Sequence, residues 1–144
     1  MFKIQWLVEK KIVSCFLQGD ILIDELRIIS DQLEHHFDQS DNNTVHVLVD
    51  RTKLNSLPLS LKSIQNLGYH SHQHLGWHVI FNGGNGNHIV EITAGILATY
   101  FHNNYRSCET LEQSVAFLAQ VDSSLPSTHQ MISKWNELHP PQFD

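Results

Sequence analysis

The sequence predicts an α/β fold with a mostly parallel sheet of about five strands. Three observations lead there. The stretch Thr44 to Thr52, TVHVLVDRT, reads as a buried central strand. Strand-like and helix-like segments alternate after an N-terminal hairpin, in the order ββαβαβαβαα, and such alternation implies parallel strands joined by right-handed crossovers. The chain has 144 residues, 41% of them hydrophobic and 17% charged, enough for one domain with a sizeable core.

In the central stretch Val45, Val47 and Val49 alternate with His46, Leu48 and Asp50. Successive strand side chains point to opposite faces, so one face is wholly β-branched and the other mixed. Asp50 falls where a parallel strand meets its following loop, the edge at which open α/β sheets bind ligands. The simpler reading is an Asp capping a turn over Arg51 to Lys53.

Ahead of that strand, Ile4 to Val8 and Ile12 to Leu17 flank the charged turn Glu9-Lys10-Lys11 and read as an antiparallel hairpin. Gly19 and Asp20 break the second strand. A helix follows from about Leu22 to Phe37, with Leu22, Leu26, Ile29, Leu33 and Phe37 on one stripe and Asp24 and Glu25 in its first turn. His35 and His36 are adjacent and diverge by about 100° on a helix, so they do not share a metal.

After the central strand, Leu54 to Gly68 reads as a helix, with Pro58 in its first turn, Leu61, Ile64 and Leu67 buried, and Gly68 as its stop. Trp77 to Phe81 is the next strand. Asn82 to Asn87 is a Gly-rich turn before a long apolar helix from about His88 to His102. Tyr105 to Cys108 is a short strand. Thr110 to Gln113 and Ser127 to Gln130 are capping boxes that open two further helices. Leu111, Val115 and Leu118 bury one side of the first; Met131, Trp135 and Leu138 line the second. Residues 1–125 read as the domain, and 126–144 as a C-terminal helix and tail packed on it.

Composition narrows the function. Net charge is −6 and the nine Lys and Arg are scattered, which argues against nucleic acid and against an anionic membrane surface. Cys15 and Cys108 read as free thiols in a reducing compartment. No stretch reads as a signal peptide or is apolar for long enough to span a bilayer, so a cytoplasmic protein without a transmembrane segment is expected.

No catalytic residue, cofactor site or metal site stands out. His70, His72 and His74 would face one way if extended, with His78 close by, but no carboxylate or Cys between Lys53 and His88 completes a metal shell. Asn82 to Asn87 matches neither GxGxxG nor a P-loop, and no Lys or Arg lies between Lys62 and Arg106. Ser56 and Ser60 flank a helix start, where capping is their ordinary use. Ser14 sits in a strand without a nucleophile elbow.

The hairpin strand ending at Gly19, the helix with Asp24-Glu25-Leu26, the strand VHVLVD, Gly76-Trp77 with HVIF, and Tyr105-Arg106 with Thr110 to Leu118 together resemble STAS / SpoIIAA-like domains over roughly Glu9 to Val121. The resemblance implies a SpoIIAA-like layered fold with sequential strand order. It also implies a non-enzymatic regulatory module that binds a protein partner, or, as the alternative, a small hydrophobic-ligand or lipid binder of SEC14 type with Leu54 to Leu75 as its lid. The stretch Asp50 to Ser56, DRTKLNS, lacks the phosphorylatable Asp-Ser-Ser-Gly motif of STAS anti-anti-sigma factors. Leu22 stands where related chains often carry a Ser or Thr cap.

The expected ligand or partner surface comprises Asp50, Ser56, Ser60, His46, His78 and Asn82. If every helix fell on one sheet face, that face would hold Val45, Val47, Val49, Trp77, Val79, Phe81, Val13, Cys15 and Leu17. The other would hold His46, Leu48, Asp50, His78, Ile80, Asn82, Ile12, Ser14 and Phe16. The final helix alone is too short to cover it. Trp135 would then dock near Ile80 or Phe16, His46 and His78 would be neighbours, and a homodimer or partner would cover the rest.

Overall fold

The computed structural model describes residues 1–41, 43–58, 62, 65–84, 95–96, 99 and 103–141. Five strands form one sheet: β1 (Phe2–Val8), β2 (Ile12–Asp20), β3 (Val45–Ser56), β4 (Leu75–Phe81) and β5 (Asn104–Cys108), in sequential order. β1 and β2 are antiparallel, and every later pairing is parallel. Three helices are described: α1 (Ile23–Asp38), α2 (Leu111–Val121) and α3 (Thr128–Leu138), with a 3-10 turn at Gly68–Ser71. This is the α/β architecture expected, including the hairpin at its start.

Helix boundaries follow local chemistry. In α1 the Leu22 side chain gives no cap, but Glu25 Oε1 accepts the Leu22 N–H at 3.2 Å, which is half of a capping box. Leu22 itself is extended (φ −89°, ψ 162°), so it leaves the apolar stripe and is 64% exposed; Ile29, Leu33 and Phe37 are buried as expected. α2 and α3 start at full capping boxes, Thr110 with Gln113 and Ser127 with Gln130.

The sheet has a core on each face. On one side α1 buries Ile29, Leu33 and Phe37 against Val13, Cys15, Leu17, Val45, Val47, Val49 and Ile80. On the other, Val115 and Leu118 of α2 and Met131 and Trp135 of α3 cover Leu7, Ile12, Leu48, Val79 and Phe81. Two expectations fail here. The crossover rule constrains a helix between parallel strands, as α1 is; α2 and α3 follow the last strand and are free to take the opposite face. And β4 has the opposite phase to the one assumed. Its register against β3 steps from Val45↔Leu75 to Val47↔His78, two residues against three. That extra residue puts His78 and Ile80 on the α1 face, and Val79 and Phe81 under α2 and α3.

Trp135 therefore packs edge-on against Phe81 (ring centroids 5.5 Å apart) rather than against Ile80. Phe16 meets His139 at 5.8 Å, and His139 in turn stacks on Trp135. Because two helices share the second face, the need for a second subunit to cover it disappears.

β3 is longer than expected. A second bulge, from Phe16↔Asp50 to Gln18↔Lys53, lets the strand continue to Ser56. Asp50 does cap local backbone, but inside the strand: its Oδ1 accepts the Thr52 N–H at 2.8 Å and the Thr52 hydroxyl at 2.7 Å. Leu54–Ser56 is thus strand, not the start of a helix, and Gly68 opens a 3-10 turn. Leu67 is buried. The expected first turn after Pro58, with Leu61 and Ile64, lies largely outside the described residues, as do Asn85 to Asn87 and most of the expected helix from His88 to His102.

Phe37 is fully buried at the centre of the α1 core. Phe37→Ala is expected to cost about 3–5 kcal/mol, read as a lowered urea midpoint with an unchanged slope.

Candidate functional site

The carboxyl ends of β2, β3 and β4 bring polar groups together at one edge of the sheet. Asn55 Nδ2 and Ser56 Oγ both donate to Asp20 Oδ1, at 2.6 and 2.7 Å. The Ser56 carbonyl accepts the Ile21 N–H at 2.9 Å, tying the exit of β2 to the end of β3. The hydrogen bonds from Ser56 and Asn55 hold the Asp20 carboxyl below the usual carboxylate range. Ser56 is therefore engaged with Asp20 rather than capping near Pro58.

Asn82 closes the neighbouring turn. Its Oδ1 accepts the Gly84 N–H at 2.9 Å, and Gly83 (φ 70°) and Gly84 (φ 81°) take the left-handed conformation that glycine permits. Gly83 N–H also donates to Glu109 O at 2.7 Å, fixing the turn to the exit of β5. Beside this edge lie two exposed apolar side chains, Leu22 at 64% and Met1 at 59%. Both are positioned by Glu25, whose carboxylate meets the Met1 ammonium at 3.6 Å and the Leu22 N–H. Ser60 lies outside the described residues. Asp20, Leu22 and Met1 were not expected at this edge, since Asp20 reads as a strand breaker and Leu22 as core. The clustering of Asp20, Asn55 and Ser56 depends on β3 running four residues further.

The remaining expected residues do not join this edge. Asp50 is buried in the sheet on the α3 side. His46 and His78, expected as neighbours, lie on opposite faces because of the bulge in β4. His46 is buried with both ring nitrogens in use. Nδ1 accepts the Trp77 N–H at 3.0 Å, so the hydrogen is assigned to Nε2, which donates to Asp122 Oδ2 at 2.8 Å. Asp122 Oδ1 also accepts the Ser124 N–H at 3.0 Å and its hydroxyl at 2.6 Å, while Lys11 Nζ donates to the Ser124 carbonyl. Burial would raise the Asp122 carboxyl, but the hydrogen bonds from Ser124 and His46 outweigh it and hold it low. His46 is thus a clasp between β3, β4 and the α2–α3 linker. Gly76 makes room for it: a Cβ there would sit 2.6 Å from His46 Nδ1.

His78 sits on the α1 face among Tyr69, His70 and Tyr105, at ring distances of 5.8, 6.3 and 6.0 Å. Loss of hydration pushes the His78 imidazole down to about 3, helped by His70 and Arg51, and pushes His70 down to about 4. The same burial raises the Tyr69 phenol, and takes the Cys15 thiol up to about 12, leaving Cys15 an inert core group.

The His70-His72-His74 run is not extended. His70 belongs to the 3-10 turn, His72 Nε2 meets Asp38 Oδ1 at 2.8 Å, and His74 Nδ1 meets the Asn43 carbonyl at 3.2 Å. Among the described residues no group of three or more His, Cys, Asp or Glu is arranged to hold a metal ion. Among them, too, no helix is long and apolar enough to cross a membrane.

No family model matches the chain, and no curated protein matches it. Among solved structures it is similar to an uncharacterised protein of the DUF3478 family with a SpoIIAA-like fold from Shewanella loihica PV-4. That structure is 14% identical, with a TM-score of 0.60 over 82% of this chain and 92% of the other. At this identity the likeness is one of fold, and the chain has a SpoIIAA-like α/β fold.

Two outcomes follow from this geometry. Asp122→Ala leaves the buried Nε2–H of His46 without its acceptor and is expected to cost about 1–3 kcal/mol in thermal or urea denaturation. For His70 and His78 the folded pKa lies below the unfolded value near 6.5. Their contribution is therefore complete above about pH 6.5 and declines as pH falls from there toward 4 and 3. NMR should show both rings still neutral at pH 5 while the stability of the protein has already dropped.

Proposed function

We propose that this SpoIIAA-like domain is a non-enzymatic interaction module that docks a partner protein on the carboxyl edge of its sheet. The observation that carries the reading is the pairing of exposed Leu22 and Met1 with the Asp20–Asn55–Ser56 clasp at that edge. Open α/β sheets place ligands there, and apolar groups rimmed by polar ones suit a protein contact. The clasped Asp20 carboxylate offers a fixed hydrogen-bonding group beside the apolar pair. The lipid-binding alternative loses part of its lid: Leu54 is in β3, Leu67 is buried, and the Tyr69 N–H donates to Ser30 Oγ of α1 at 3.2 Å.

Affinity purification of the tagged protein from its native cells, with cross-linking mass spectrometry, tests the reading. A stoichiometric protein partner cross-linked near Lys53 is expected, and Leu22→Asp should abolish its recovery without lowering the melting temperature. Equal recovery with Leu22→Asp would remove this edge as the docking site. Turnover of esters, phosphates or thioesters by the purified metal-free protein would remove the non-enzymatic reading.

A further inference from the structure

The last turn of α3 ends in an unusual arrangement. The His139 N–H donates to the Trp135 carbonyl at 2.9 Å, and its Nδ1 meets the same oxygen at 3.1 Å. Nδ1 must therefore carry the ring hydrogen, which leaves a bare lone pair on Nε2. The imidazole lies flat on the Trp135 indole, with centroids 4.1 Å apart and planes at 25°, and the Phe16 ring centroid is 5.8 Å from its own. Nε2 is buried and has no hydrogen-bond partner among the described residues. A hydrogen bond from Lys3 Nζ to the Leu138 carbonyl, at 3.1 Å, ties this end of α3 to β1.

We propose that His139 is a proton-operated latch: the last turn of α3 docks on the sheet with this imidazole neutral, and acid releases that turn and bares the aromatic strip beneath it. A proton can enter only at Nε2. There it creates a charged N–H among Trp135 and Phe16 with no acceptor in place among the described residues, and a buried, unpaired charged donor is costly. Rotating the ring to find water breaks both the stack and the bond to the Trp135 carbonyl.

The groups facing the ring from each packed element set the direction. From β1, Lys3 opposes the second positive charge. From β3, Asp50 favours it. From β2, Phe16 offers no charge, and from α3 the Trp135 carbonyl already takes the Nδ1 hydrogen. Loss of hydration outweighs the attraction of the Trp135 carbonyl and of Asp50, and the imidazole is held below its ordinary value. The docked turn thus binds the proton less well than the released turn, where the value is near 6.5. Docking is at full strength above about pH 6.5 and weakens as pH falls below it, down to the docked-state value. Release exposes Trp135, Phe81 and Phe16 while α2, held by the His46–Asp122 clasp, stays in place.

Hydrogen exchange of the full chain, corrected for the intrinsic pH dependence of exchange, tests the latch. The opening equilibrium of amides 135–139 is expected to rise by up to about tenfold per pH unit below 6.5. His139→Phe, which retains the stack and cannot titrate, should remove that rise at those amides alone. An equal rise in His139→Phe would overturn the proposal, as would pH-independent opening in the unsubstituted protein. Should His139→Phe not fold, the NMR titration of His139 in the unsubstituted protein decides instead: a midpoint below 6.5 supports the latch, and one at or above 6.5 sinks it.

Discussion

Everything in this molecule hangs on the burial of β3 on both faces. From Val45 to Asp50 every residue is buried, with three valines facing α1 and Leu48 facing α2 and α3. A strand buried on both sides must be flanked by strands and covered by helices twice over. β2 and β4 supply the flanks, α1 one cover, and α2 with α3 the other. The two cores share the sheet and differ in the helices that cover it: α1 on one side, α2 with α3 on the other.

The same constraint explains where polar groups go. Where both faces are covered there is no solvent side on which to place a His or Asp, so the buried His46 and Asp50 find their partners inside the protein. His46 is consumed by the Trp77 amide and Asp122. Asp50 turns back on Thr52. These bonds sit at two of the bulges of β3 with its neighbours, where the ladder is interrupted and backbone donors would otherwise be left without acceptors. The polar residues inside the sheet thus look like site residues in sequence but mend the sheet in space. Groups able to meet a partner are left at the carboxyl edge, beyond the covered region, where Asp20, Asn55 and Ser56 converge beside Leu22 and Met1.

The two covers are fastened differently. α1 is enclosed between β2 and β3 and contributes three deeply buried apolar residues. α2 and α3 trail the last strand, and besides apolar contact they are held by discrete polar links at His46, Lys11 and Lys3. A terminal element held by few, specific bonds can open while the rest of the structure stays closed. The imidazoles are distributed accordingly: His70 and His78 lie in the α1-side core, and His46 and His139 at the fastenings of the second cover.

The sequence alone determined the elements and the class of fold. Period-2 and period-3.6 patterning marks the strands and α1, and the Thr110 and Ser127 capping boxes mark the starts of α2 and α3, because these signals are local and act within a few residues. It also determined the hairpin, sequential order and SpoIIAA-like likeness, since strand–helix alternation leaves few topologies. Tertiary structure decided which face each strand presents. Trp77 to Phe81 is apolar at every position but His78, so its pattern names no face; one extra residue against β3 set its phase and separated His46 from His78. It also decided the extent of β3, since the Asp50 bulge needs β2 beside it, and the convergence of Asp20 with Asn55 and Ser56 some 35 residues away in the chain. Of the expected surface residues, Ser56 and Asn82 were legible at the edge. Asp50, His46 and His78 were not, because side-chain type shows that a group needs a partner and only packing shows which partner it finds.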